Sequence, residues 1–278
     1  MIIDFRMRPP AGPYVPSVYG NVANIAKATA RIGFQQAQSV AQVSMELLRE
    51  EMKEADITHA VIPARVAAKG SVSNAAVASM VTDSNGFFSG IAALDPTDMD
   101  KALTELDEYV VNGPLKGVGF EPGMLPSPLH ADDKKLYPLY EACQEKGVFV
   151  SIMTAAACGP NIGFTSPELI DNVARDFPKL TIVDAHGGWP WVTQNLYLAH
   201  RHQNVILCPD FIMFNMPGMN DYLMAANYFL QDRFLFATGY PHIGHVQAVE
   251  FYKKNIRPEV QDKIFYGNAA RLLGLSIG

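Results

Sequence analysis

The chain has 278 residues, 49% hydrophobic and 18% charged, with a net charge of −6, a balance that suits a soluble enzyme with a large core. Its acidic character, with no basic cluster, excludes nucleic acid as a natural partner, because phosphate binding needs a basic face. No apolar run approaches the roughly 18 residues of a membrane span.

The opening string MIIDFRMRPP lacks the basic-then-apolar pattern of a secretory leader. Its apolar part, Ile2–Phe5, is the first expected strand. Further strands are expected at Ala60–Pro63, Phe87–Ala93, Gly117–Phe120, Val148–Met153, Leu180–Asp184, Val205–Cys208 and Phe234–Thr238. Between them, helical patterns run over Val40–Ala55, Asp98–Val111, Lys134–Lys146, Pro167–Phe177, Pro217–Leu230 and Pro258–Leu273. The segment from Pro9 to Ser39 is too long for a simple loop after a strand, and such excursions serve as lids or binding loops. Cys143, Cys158 and Cys208 are odd in number and widely spaced, so they make neither a disulfide framework nor a zinc knuckle. A reducing compartment, hence the cytoplasm, is the expected location.

Strands alternating with helices imply a parallel sheet, either closed or doubly wound. No glycine-rich loop follows the first strand; Arg6, Met7, Arg8, Pro9 and Pro10 stand there. That weighs against a nucleotide-binding open sheet. With no repeat or long linker, residues 1–278 read as one domain.

Four strings carry a family likeness: Ile3-Asp4 at the end of the first strand, VDAHGGWPW at 183–191, FLFATGYPH at 234–242 and KIFYGNAARLLGL at 263–275. Together they resemble the amidohydrolase-related superfamily, in the branch of aminocarboxymuconate-type decarboxylases and pyrone-dicarboxylate lactonases. The resemblance implies a single (β/α)8 TIM barrel with its site at the C-terminal strand ends, and a homodimer as a candidate assembly. It also implies a metal centre whose ligands are mostly missing here. The family's Asp-x-His-x-His is Asp4-Phe5-Arg6-Met7-Arg8, its fifth-strand His corresponds to Met153, and its eighth-strand Asp falls in Thr238-Gly239-Tyr240-Pro241. His186 remains, and Glu121 stands near a bridging position.

Residues two apart share a face of a strand, so Arg6 and Arg8 are expected to point together into the barrel mouth. A guanidinium has no lone pair for a metal but suits a carboxylate clamp. Asp4, one layer deeper, is expected to pair with one of them; a buried Arg–Asp brace is the alternative. His186 follows Asp184 by two, so the pair reads as an imidazole oriented by a carboxylate, able to move a proton near neutral pH. A core histidine bonded to a backbone carbonyl is the alternative. Glu121 and Asp210 end apolar strands, where carboxylates are either site residues or loop caps. Met153, Trp189, Tyr240 and His242 are expected to contact substrate, with packing for the tryptophan and an exposed loop for His242 as alternatives.

These residues lead to an amidohydrolase-related hydrolase acting on a small organic carboxylate, cyclic or aromatic, without the usual metal centre. Arg6 and Arg8 would hold the carboxylate, His186 with Asp184 would move the proton, and Glu121 or Asp210 would assist. The alternatives are a decarboxylase or hydratase on a similar acid, a silent anion-binding barrel, and a zinc or manganese centre recruited by His186, Glu121 and Asp210.

Overall fold

Strands of a parallel sheet are buried on both faces and read as short apolar runs. In the computed structural model, which describes residues 1–276, seven such runs form β1 (Ile2–Asp4), β2 (Ile57–Pro63), β3 (Phe88–Ala93), β4 (Gly117–Phe120), β5 (Phe149–Met153), β6 (Ile182–Ala185) and β7 (Val205–Cys208). They lie side by side in sequence order, every pair parallel. Successive residues alternate between two cores. Ile3, Phe5, Val61, Ile91, Phe149, Val183 and Cys208 fill the barrel, while Ile2, Ile62, Val118, Val150, Ile182 and Leu207 pack outward against the helices.

The expected eighth strand over Phe234–Thr238 is not a regular strand. Its backbone instead bonds in both directions and closes the ring. Leu235 N donates to Leu207 O at 2.9 Å, and Phe5 N donates to Phe236 O at 3.0 Å. Beyond it, Gly239 N donates to Arg6 O and Arg8 N to Tyr240 O, each at 3.0 Å. The rest of the ladder is replaced by the Asp4 carboxylate. Its Oδ1 accepts from Thr238 N at 3.0 Å and Arg6 N at 3.1 Å, and its Oδ2 accepts from Thr238 Oγ1. His245 Nε2 lies 3.2 Å from Oδ2. Asp4 therefore pairs with neither arginine side chain, contrary to expectation; four nearer partners take up the fully buried carboxylate.

Two of the expected helices are interrupted. The Val40–Ala55 pattern breaks at Val43, whose φ is +50°, and restarts as Met45–Glu54 with the Ser44 side chain accepting from Leu47 N. The Pro258–Leu273 pattern holds as Pro258–Asp262 and Asn268–Leu273, joined by a wider π-type turn. Asn268 ties the last helix to the barrel by donating to Gln231 O and Phe234 O at 2.9 Å. The long excursion after β1 folds into short helices at Tyr14–Val18, Val22–Arg31 and Gln38–Ala41. They are fastened over the mouth: Tyr14 OH donates to Pro63 O, Tyr19 OH to Arg8 O and Thr29 Oγ1 to His242 O, at 2.7–2.8 Å. No helix among the described residues is long and apolar enough to cross a membrane.

Candidate active site

The chain leaves each strand at the same end of the barrel, so residues just past the strands gather there. In β2, β4, β5 and β7 the inward positions Val61, Gly119, Ser151 and Cys208 are followed two residues at a time by Pro63 and Arg65, Glu121, Met153 and Asp210. After Phe5 the pleat changes phase, and Arg6 and Arg8 both turn inward. An open cavity of about 430 Å³ results, lined by Arg8, Arg65, Glu121, Met153, His186 and His242, with Ile25 of the excursion above. Its size falls in the range of small-molecule sites.

One half of the mouth is a guanidinium cradle. Arg65 Nε is 2.7 Å from Glu121 Oε2, while Arg6 Nη2 and Arg8 Nη2 lie 3.3 and 3.5 Å from Oε1. Burial raises the Glu121 pKa, but the three neighbouring cations outweigh it and bring it down to about 2. Burial and the adjacent Arg6 lower the Arg8 guanidinium to about 10, which leaves it charged at neutral pH.

The other half carries the imidazoles. His186 Nδ1 sits 2.8 Å from Asp210 Oδ1 and 2.7 Å from Oδ2, both residues buried. Arg6 Nε approaches the same carboxylate at 3.4 Å, so Asp210 links cradle and imidazole. With Nδ1 turned to Asp210, Nε2 is the nitrogen left for water or substrate. Both partners have left-handed backbones, with φ of +62° at His186 and +40° at Asp210. Such residues are uncommon outside glycine and cluster at functional sites. Phe211 lies between the two histidine rings, its centroid 5.2 Å from His186 and 4.6 Å from His242. Burial, then Arg8, pushes His242 down to about 4 and keeps it neutral near pH 7.

Three expected site residues lie elsewhere. Asp184 does not orient His186, because Val183 and Ala185 are the inward residues of β6 and Asp184 shares the outer face with Ile182. The left-handed turn at His186 breaks the alternation that the pairing assumed. Tyr240 is buried behind the mouth, its hydroxyl 2.8 Å from Ser39 Oγ and its ring stacked on His245. Trp189 is half-buried beside the site, where its indole N–H donates to Pro217 O at 3.2 Å; the cis bond to Pro190 follows it. His242, by contrast, lines the cavity rather than an exposed loop.

Asp184 is fully buried with neither carboxylate oxygen hydrogen-bonded, and burial raises its pKa to about 8. A carboxyl whose folded value is raised makes the native state bind the extra proton. Stability is thereby lost as pH rises from the ordinary carboxylate range, roughly 4, to about 8. An Asp184→Asn variant is expected to lose that slope. Its melting temperature relative to the parent should climb between pH 5 and pH 8, and a constant difference would contradict this reading.

Arg65, Phe211 and Cys158 were not foreseen in the site. For Arg65 a sequence clue existed, since Val61, Pro63 and Arg65 continue the inward alternation past the end of β2. Phe211 and the buried Cys158, whose thiol burial pushes up to about 11, had no comparable pattern.

A closed α/β barrel with a polar cavity at its C-terminal strand ends has the architecture of (β/α)8 enzymes. The chain belongs to the amidohydrolase family, whose sequence profile matches residues 10–275. An uncharacterized TIM-barrel protein from Bordetella bronchiseptica is 39% identical over 98% of both chains, with a TM-score of 0.94. The fold is shared by 5-carboxyvanillate decarboxylase from Sphingomonas paucimobilis, at 17% identity, 99% coverage of both chains and a TM-score of 0.70. It is also shared by a probable 2-pyrone-4,6-dicarboxylic acid hydrolase from Acinetobacter baumannii with citric acid bound, at 15% identity, 99% coverage of both and a TM-score of 0.66. No curated protein matches the chain in sequence.

Proposed function

We propose that this protein is a hydrolase of small organic carboxylates, with His186 and Asp210 as its proton-transfer pair and Arg6, Arg8 and Arg65 as its anion cradle. The observation that carries this reading is the shared cavity, with an Asp-held imidazole on one side and the Arg8 and Arg65 guanidiniums, backed by Arg6 through Glu121, on the other. Three arginines face two carboxylates, Glu121 and Asp210, which leaves one positive charge for a substrate carboxylate. His186 Nε2 takes a proton from water as it attacks a lactone or amide carbonyl, and Asp210 stabilises the imidazolium that forms; the tetrahedral adduct then collapses with cleavage of its C–O or C–N bond, and His186 gives the proton to the departing oxygen or nitrogen. An arginine N–H aimed at the carbonyl oxygen stabilises the developing oxyanion. The two fold relatives with named activities act on carboxylates by their names, which agrees with the cradle.

The metal centre implied by the family does not fit the donors present. Both Glu121 oxygens face guanidiniums, both Asp210 oxygens face His186 Nδ1 or Arg6, and no group of three His, Cys, Asp or Glu residues among those described is placed to hold an ion. A carbon lyase is the second reading, favoured by the apolar wall of Met153, Ala155 and Phe211, since an apolar surrounding favours loss of a charged carboxylate as carbon dioxide. There His186, protonated, would return a proton to the substrate carbon.

A panel of aromatic and cyclic carboxylates, bearing lactone or amide groups and scored for both hydrolysis and carbon dioxide release, separates the readings. Arg8→Met and Arg65→Met should each raise KM by about tenfold or more on whichever compound reacts, since a charge-assisted hydrogen bond contributes roughly 1.5–3 kcal/mol. Binding without turnover across the panel would instead indicate a silent barrel.

A further inference from the structure

The mouth cavity is not the end of the cleft. A second, larger hollow of about 900 Å³ lies beside it, between the loops after β2 and β3 and the first helix of the excursion. The two hollows share Ser17, Arg65, Gly70 and Val72 as walls, so they adjoin across the 65–72 turn with Arg65 at the junction. That junction is built. Arg65 and Val72 exchange both backbone hydrogen bonds at 2.9 Å, and Arg65 Nη1 donates to Lys69 O at 2.9 Å, which holds the 65–72 turn upright as a rim. Gly70 is at the crest with a φ of +71°, and a Cβ there would stand 3.2 Å from Arg65 Nη1 and 3.4 Å from Ser17 O. Any side chain at this position would crowd the space between the hollows, and most would also strain the backbone.

The second hollow has different chemistry from the first. Asn74, buried in its floor, is locked in place: its Nδ2 donates to Ala93 O at 2.9 Å and to Glu105 Oε2 at 3.1 Å, and its Oδ1 accepts from Ala93 N at 2.8 Å. Asp95, Asp98 and Glu105 line it against Lys101, and the Arg65 guanidinium is already committed to Glu121. The surplus is negative, opposite to that of the mouth. A second carboxylate is disfavoured there, while hydroxyl and ammonium groups find acceptors.

We infer that the substrate is elongated, with its carboxylate in the arginine cradle and an ammonium- or hydroxyl-bearing arm crossing Gly70 into the side hollow. The inference rests on the carboxylate reading of the mouth and adds the second half of the molecule. It also makes the 65–72 rim the element that measures substrate length.

Three probes test it by calorimetric titration: benzoate, 4-(4-aminobutyl)benzoate and 4-(4-carboxybutyl)benzoate. The aminobutyl compound should bind at least tenfold more tightly than benzoate, and the carboxybutyl compound no more tightly. Gly70→Asn, which tolerates the left-handed backbone while filling the passage, should remove the gain. Thr97→Trp, at an exposed position on the far wall, should do so too without touching the rim. Thr97→Trp should bind benzoate within twofold of the parent. Equal binding of the aminobutyl compound and benzoate, or an equal loss for both in Thr97→Trp, overturns the side-arm inference and leaves the cradle standing. If benzoate fails to bind, or binds as well to Arg8→Met, the cradle reading falls and the inference with it.

Discussion

Replacing His186 by alanine is expected to lower kcat about 10²- to 10⁴-fold on any carboxylate the protein turns over, with little change in KM. The imidazole is buried, lines the cavity and has one nitrogen committed to Asp210 at 2.7–2.8 Å, while the cavity's other imidazole, His242, lies across Phe211 from it. Asp210→Asn gives the sharper test. Asparagine keeps the volume and tolerates the left-handed backbone, but it holds the neutral ring less firmly and stabilises the imidazolium far less. The kcat should fall by more than tenfold with little change in KM. A His186→Ala variant retaining more than a tenth of parental kcat would remove His186 from the chemistry.

Replacing Glu121 by glutamine should produce the largest loss of stability in the mouth, about 3 kcal/mol or more, because three largely buried guanidiniums are left facing one another. For a chain of this length that corresponds to a drop of roughly 5–10 °C in melting temperature. The loss should shrink when benzoate or sulfate is added, since an anion that binds only the folded state restores the missing charge. The pH dependence follows from the depressed carboxyl. Glu121 stabilises the native state above the ordinary carboxylate range, roughly 4, and that contribution disappears as pH falls toward about 2. Parent and variant should therefore differ most at neutral pH and converge in acid. Equal melting temperatures at pH 7 would mean that the arginines do not form one charged unit.

The regular part of the barrel was legible because parallel strands announce themselves as apolar runs. All seven fall within about three residues of their expected places. The eighth differs because a side chain, Asp4, supplies bonds that a backbone ladder would otherwise make, and no periodicity reveals that. Inward placement of Glu121, Asp210 and Met153 also follows from position at strand ends, whereas Arg6 and Arg8 turn inward because the pleat changes phase after Phe5. Pairing among them does not. His186 finds its carboxylate on the next strand rather than two residues back, since a single left-handed residue reverses the direction of its side chain. Tyr240 and Trp189 stand in the motifs but turn to other partners: the buried Tyr240 hydroxyl meets Ser39 behind the mouth, and the half-buried Trp189 indole meets a loop carbonyl beside it.

The Asp4 clamp has a consequence for how the protein is made. Its bonds to Thr238 join residues 234 positions apart, and with the backbone bonds of Phe5, Arg6 and Arg8 they shut the ring. A nascent chain presents β1 long before its closing partner leaves the ribosome, so Arg6 and Arg8 spend most of synthesis without the walls that later enclose them. Non-local closure of this kind slows folding, because the chain must lose loop entropy before the contacts reward it. The cradle is thus among the last features to mature, and an Asp4→Ala chain should accumulate as an open, aggregation-prone form during refolding rather than as a slightly loosened barrel.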